Sequence, residues 1–148
     1  MGFIEKIGSV ARLAIGRFCT AVGTKMSKQI LLCDDELHIV AAAGFKLRSA
    51  GYDVVTAGDG EEAWELIQQN VPDLLITDYC MPRLDGLALC EKIRDCERTR
   101  DLPVFILTAK SLDPALPGLA EKFGVLKVIT KPFSPRNLLQ QVDRALAP

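Results

Sequence analysis

A doubly wound α/β domain on a five-stranded parallel sheet is the fold class this sequence predicts, and three observations predict it. Five short apolar runs recur between residues 29 and 130, separated by segments of helical period. Most of the runs are continuously apolar instead of alternating, the pattern of strands covered on both faces. The chain has 148 residues, 49% of them hydrophobic, which suits one core of ordinary size.

The elements follow in order. QILLC (29–33) is the first strand, and the acidic text CDDE leads from it into a helix, since Asp is favoured near helix starts. YDVVTA (52–57) is the second strand. Asp59, with Glu62 three residues on, makes a capping box ahead of EEAWELIQQ, where Trp64 reads as a packing residue. LLIT (74–77) is the third strand and PVFILT (103–108) the fourth. Pro114 and Pro117 lie in SLDPALPGLAEKF and should delay or shorten the helix that follows. KVIT (127–130) is the fifth strand. Ser134-Pro135 then supplies a cap and an N1 proline for the last helix, whose Leu138, Leu139, Val142, Ala145 and Leu146 share one face. The end at Pro148 is read as leaving no room for a second domain.

Charge and cysteine usage exclude several function classes. A net charge of -1 and the absence of a basic run argue against direct nucleic-acid binding. The cysteines are Cys19, Cys33, Cys80, Cys90 and Cys96, odd in number and without a C-x-x-C pair, which fits a reduced, cytoplasmic setting. Cys90 and Cys96, six apart, would face different ways on one helix. A single histidine, His38, makes a zinc site improbable. No apolar run approaches the ~20 residues that cross a bilayer.

Residues 1–25 differ from the rest. Phe3, Ile4, Ile7, Val10, Ala11, Ala14, Ile15, Phe18 and Val22 fall on one helical face and polar residues on the other. Lys6, Arg12 and Arg17 interrupt the segment, so it lacks the uninterrupted apolar h-region of a signal peptide. It reads as an amphipathic extension that touches a membrane surface or a partner, or else translation starts at Met26. Residues 26–148 carry 18 acids against 14 bases, a charge of -4.

In open α/β sheets ligands lie outside the carboxyl ends of the strands. Those ends carry Asp34 and Asp35, Asp78, Thr108-Ala109 and Thr130-Lys131-Pro132. Converging carboxylates repel one another unless a cation compensates them, and hard oxygen ligands favour Mg²⁺. An ammonium at Lys131 and a hydroxyl at Thr108 suit a phosphoryl group. An aspartate can act as the nucleophile and form an acyl phosphate, and Asp78 on the central strand is best placed to do so. Alone, each residue would be an ordinary helix start, strand-end cap or surface lysine; together they make a site.

On these motifs the chain resembles the receiver domains of bacterial two-component response regulators: Asp34-Asp35; Asp78 followed by Met81-Pro82 and Asp85-Gly86; Thr108-Ala109; and Lys131-Pro132-Phe133. The resemblance covers about residues 28–146. It implies a flavodoxin-like sheet in the order 2-1-3-4-5 with five surrounding helices. It implies Asp78 as phosphoacceptor, and Mg²⁺ held by Asp34, Asp35, Asp78 and the backbone carbonyl of Cys80. Lys131, Thr108 and Ala109 would attend the phosphoryl group, and the Lys131–Pro132 bond is often cis in the family. It also implies a histidine kinase or histidine phosphotransfer protein as donor, a downstream protein target, and a switch that is not a turnover enzyme. Val128 stands where the family usually has an aromatic, so the usual hydroxyl-to-aromatic coupling cannot operate in that form. The fold so implied fits a stand-alone phosphorylation-dependent switch. The alternative is a phosphorylation-independent adaptor, against which the intact acid set speaks. A phosphatase would want a second acid where Cys80 stands, and an FMN binder would want a phosphate loop where CDDE stands.

Overall fold

The structure is a computed structural model that describes residues 27–109 and 114–148. The amphipathic segment 1–25 and the start at Met26 lie outside the described residues. The elements run β1 (Gln29–Cys33), α1 (Leu37–Ser49), β2 (Asp53–Ala57), α2 (Gly60–Gln69), β3 (Leu74–Asp78), α3 (Gly86–Asp95), β4 (Val104–Thr108), α4 (Leu116–Lys122), β5 (Lys127–Thr130) and α5 (Pro135–Ala145). The five strands form one parallel sheet in the order β2-β1-β3-β4-β5, as the resemblance implied.

Strand periodicity divides the apolar residues between two faces. Leu31, Cys33, Leu75, Val104 and Ile106 point to one side, where Ala63 and Ile67 of α2 and Leu89, Cys90 and Ile93 of α3 cover them. Ile30, Leu32, Leu74, Ile76, Phe105 and Leu107 point to the other, against Ala43 and Leu47 of α1 and Leu138 and Val142 of α5. Every residue of β3 and β4 is buried, which accounts for their continuous hydrophobicity. β5 lies at the sheet edge, and its Lys127, Val128 and Thr130 are exposed.

Helix ends follow the sequence signals. Asp59 accepts from the Glu62 N–H at 2.9 Å while Glu62 Oε1 accepts from Gly58 N–H at 2.8 Å, so the capping box closes one residue upstream of its usual target. Ser134 caps α5 through the Asn137 N–H at 3.0 Å. α4 starts at Leu116, beyond Pro114, and has only 7 residues, the shortening that the prolines predicted.

Three details differ from the sequence reading. Tyr52 lies outside β2, and its hydroxyl donates to Asp143 Oδ1 at 2.6 Å. Pro103 precedes β4; lacking an N–H it takes part only through its carbonyl, which accepts from Leu75 N–H at 3.0 Å. Cys96 is not on the body of α3 but is its C-cap, in extended conformation, so no helical-face argument applies to it. Cys33 and Cys90 are buried, and burial pushes their thiols up to about 12 and about 11, so they pack as small hydrophobes. Cys80, by contrast, is exposed. His38 is exposed in the first turn of α1, and Trp64 packs partly buried against the α2–α3 core, both as read from the sequence.

Candidate functional site

Sheet register assembles the site. Cys33 of β1 pairs with Thr77 of β3, so the next residues, Asp34 and Asp78, emerge side by side. Asp78 is the last residue of the central strand, and Thr108 ends its neighbour β4. Thr108 pairs with Thr130, and its carbonyl accepts from the Lys131 N–H at 2.8 Å, which brings Lys131 to the same end of the sheet. The Lys131–Pro132 bond is cis.

Asp34 is 1% and Asp78 7% exposed, whereas Asp35 faces solvent. One carboxylate oxygen from each of Asp34, Asp35 and Asp78 lies within 4.8 Å of the others. The Lys131 ammonium sits among the acids, 2.7 Å from Glu36 Oε1, 2.9 Å from Asp34 Oδ2 and 3.3 Å from Asp78 Oδ1. A shallow cavity of about 130 Å³ opens over this group, lined by Glu36, Asp78, Tyr79, Cys80, Thr108, Ala109 and Lys131. That volume suits a phosphoryl group and is below the size of cofactor pockets. A larger hollow of about 590 Å³ lies at the amino ends of the strands, among Lys28, Tyr52, Asp143 and Pro148, and contains none of these residues.

The turn after Asp78 folds back onto the strand end. Gly86 N–H donates to Tyr79 carbonyl at 3.0 Å, and Asp85 caps α3 by accepting from Ala88 N–H at 2.8 Å. Arg83 takes a positive φ of 68° in this turn. Met-Pro and Asp-Gly therefore serve to return the chain across the site while keeping Tyr79 and Cys80 at its rim.

The electrostatics of the site favour added positive charge beside Asp78. Burial, then the neighbouring charge of Asp34, raises the Asp78 pKa above the ordinary carboxylate value, and Lys131 only partly offsets them. Burial works against the Lys131 ammonium, but the Glu36 and Asp34 carboxylates more than compensate and its pKa rises. The hydrogen bond and charge of Lys131 lower the pKa of Glu36. Asp34 Oδ2 is buried and accepts no hydrogen bond, its approach to Lys131 having the geometry of an ion pair only. A buried carboxylate oxygen that accepts no hydrogen bond and is compensated only by ion pairing with Lys131, set among further hard oxygen donors, suits a Mg²⁺ site, so the residues present fit that ion.

A family model described as the response regulator receiver domain matches residues 30–143. This chain belongs to the response regulator receiver family. Among curated proteins, the receiver is 41% identical over 123 residues to the alkaline phosphatase synthesis transcriptional regulatory protein PhoP of Bacillus subtilis, covering 82% of this chain and 49% of that protein. The chain spans about half the length of the curated relatives it matches. Among solved structures, the receiver resembles the chemotaxis response regulator CheY4 of Vibrio cholerae with a TM-score of 0.76 and 30% identity, covering 82% of this chain and 100% of that one. It also resembles a putative response regulator from Chloroflexus aurantiacus, with a TM-score of 0.76, 35% identity, and 83% and 100% coverage.

Every site residue read from the sequence meets at one end of this receiver: Asp34, Asp35 and Asp78 as a cluster, with Cys80, Thr108, Ala109 and Lys131 around the cavity. The sequence reading missed Glu36, which makes the shortest contact to Lys131, and Tyr79, which lines the cavity. For Glu36 the available signal was its place directly after the acidic pair.

Proposed function

We propose that this receiver is a phosphorylation-dependent signalling switch in which Asp78 accepts a phosphoryl group from a phosphohistidine on a histidine kinase or phosphotransfer protein. The observation that carries this reading is the placement of the Asp78 carboxylate within the acid cluster and beside the Lys131 ammonium, at the lining of a cavity of phosphoryl size. An Asp78 carboxylate oxygen attacks phosphorus in line, the P–N bond breaks, and the imidazole leaves with the bonding pair and takes up a proton. Lys131 pairs with the phosphoryl oxygens and the Thr108 hydroxyl donates to one of them, shifting a conformational equilibrium. Ala109, small and exposed beside the cavity, leaves room for those oxygens. Water later hydrolyses the acyl phosphate. Mg²⁺ held by Asp34, Asp35, Asp78 and the Cys80 carbonyl would supply neutralising charge for the acids and the transferred group. The domain assists one modification of itself and is not a turnover enzyme.

The donor protein has a surface to meet. Leu37 and Phe45 of α1 are 82% and 72% exposed and lie on one helical face with exposed Ala41, starting at the mouth of the site. Output by contact with a downstream protein, as a self-contained switch, fits a chain of net charge -1. A reducing, cytoplasmic setting fits the four free thiols among the described residues. No helix among the described residues is long and apolar enough to cross a membrane. Residues 26–148 are read as the receiver and residues 1–25 as an extension serving location or assembly.

Incubation with acetyl phosphate and Mg²⁺ followed by intact-mass measurement should add one phosphoryl group to the wild type and none to Asp78→Asn. Uptake by Asp78→Asn at the wild-type rate would overturn the assignment.

A further inference from the structure

We propose that Glu36 is a positioning residue for phosphoryl uptake: it holds the Lys131 ammonium at the mouth of the site, and the incoming phosphoryl group must take that ammonium from it. The inference rests on reading Asp78 as the phosphoacceptor.

Three carboxylates surround Lys131 Nζ, and Glu36 Oε1 is the nearest at 2.7 Å, against 2.9 Å for Asp34 and 3.3 Å for Asp78. Nζ donates a hydrogen bond to Glu36, while its approach to Asp34 is an ion pair without one. Glu36 is also the N-cap of α1, yet its side chain makes no capping bond. Its backbone N–H instead donates to Asp34 Oδ1 at 2.9 Å, so the metal-binding loop itself aims the Glu36 side chain across the cavity.

The positive charge of this ammonium is already shared among three acids within 3.3 Å. A phosphoryl oxygen arriving on Asp78 therefore competes with one of the three. Asp34 and Asp78 are nearly buried, with side chains 0% and 9% exposed, and would be left as uncompensated charges if abandoned. The Glu36 side chain is 46% exposed, so water takes over its solvation at little cost. Glu36 is thus the partner that Lys131 releases. The same carboxylate lines the cavity and repels an anionic donor as it enters.

Replacing Glu36 with Gln keeps the shape and removes both effects. An exposed ion pair of this kind corresponds to a change of about two- to fivefold. Two readouts test it. In metal-free protein, limiting acetic anhydride followed by peptide mass spectrometry should label Lys131 about two- to fivefold faster in Glu36→Gln than in wild type. With Mg²⁺, acetyl phosphate should phosphorylate Glu36→Gln faster by a similar factor. Glu91→Gln, the same charge change on the exposed side of α3, should alter neither. Glu36→Asp retains the charge but is one methylene shorter, so it should speed labelling of Lys131 and raise phosphorylation less than Glu36→Gln does. Unchanged Lys131 labelling in Glu36→Gln overturns the proposal even if uptake accelerates, because the charge would then act through space without holding the lysine. Slower uptake overturns it as well. Should Asp78→Asn still take up phosphoryl, the phosphoacceptor reading fails, while the labelling of Lys131 still decides whether Glu36 holds it.

Discussion

Two glycines make opposite predictions from the same substitution. Gly86 opens α3, and a Cβ built there would overlap the Asp78 carbonyl oxygen and stand 3.2 Å from both the Asp78 carbonyl carbon and the Tyr79 Cα. These are backbone atoms at the end of a fully buried strand held between β1 and β4, so they cannot yield. The start of α3 must swing outward by about 1 Å to restore ordinary contact. Overpacking of this kind costs about 1–3 kcal/mol, which for a domain of this size lowers Tm by about 4–12 °C. The displaced turn carries Tyr79 and Cys80 at the rim of the site, and misplacement of about 1 Å lowers phosphoryl uptake at least about tenfold. A Cβ at Gly118, inside α4, meets nothing within 4 Å. Gly118→Ala should therefore stabilise by about 0.5–1 kcal/mol through helix propensity. Urea denaturation followed by circular dichroism measures both changes, and intact-mass kinetics with acetyl phosphate measures uptake. A Gly86→Ala protein as stable and as reactive as wild type would refute the claim that the turn is packed against the strand end.

Further outcomes follow from the site and its support. Because burial and Asp34 raise the folded pKa of Asp78, the charged form is less favoured in the fold than in the unfolded chain. In metal-free protein the Asp78 contribution to stability should therefore be lost as pH rises through that folded value, so Asp78→Asn should melt higher than wild type at pH 7 and converge with it near the ordinary carboxylate value of 3.8 and below. Mg²⁺ at a hundred times its Kd should stabilise the wild type by about 2.7 kcal/mol, and Asp34→Asn should lose most of that gain in thermal melts. The Arg94 guanidinium donates to the carbonyls of Phe123 and Leu102 at 2.7 Å, Arg100 at 2.8 Å and Gly124 at 3.2 Å, tying α3 to the segments that lead into β4 and β5. Arg94→Met should cost about 2 kcal/mol in urea denaturation, mainly from the two half-buried carbonyls, and Arg94→Lys should recover only part of it; wild-type stability in Arg94→Met would show that water serves those carbonyls equally well.

Local pattern carried most of the fold. The strands QILLC and KVIT match the structure residue for residue, and the others differ by one residue at an end. The differences have local causes that composition does not display: Tyr52 turns away to bond Asp143, and Pro103 has no N–H for the ladder. The helix caps at Asp59 and Ser134 were legible because capping is a bond between residues three apart. The acidic cluster with Lys131 was legible for another reason: strand ends of a parallel sheet converge, so residues far apart in sequence are placed together by topology alone. What topology does not specify is which side chains touch once they arrive. Glu36 and Lys131 are 95 residues apart, and their 2.7 Å contact depends on the loop geometry set by the Asp34–Glu36 backbone bond. The burial that raises the Asp78 pKa and leaves Asp34 Oδ2 without a hydrogen bond likewise exists only after the sheet has closed over it. Desolvation and ion-pair selection depend on distance in space, and an individual residue's identity records neither.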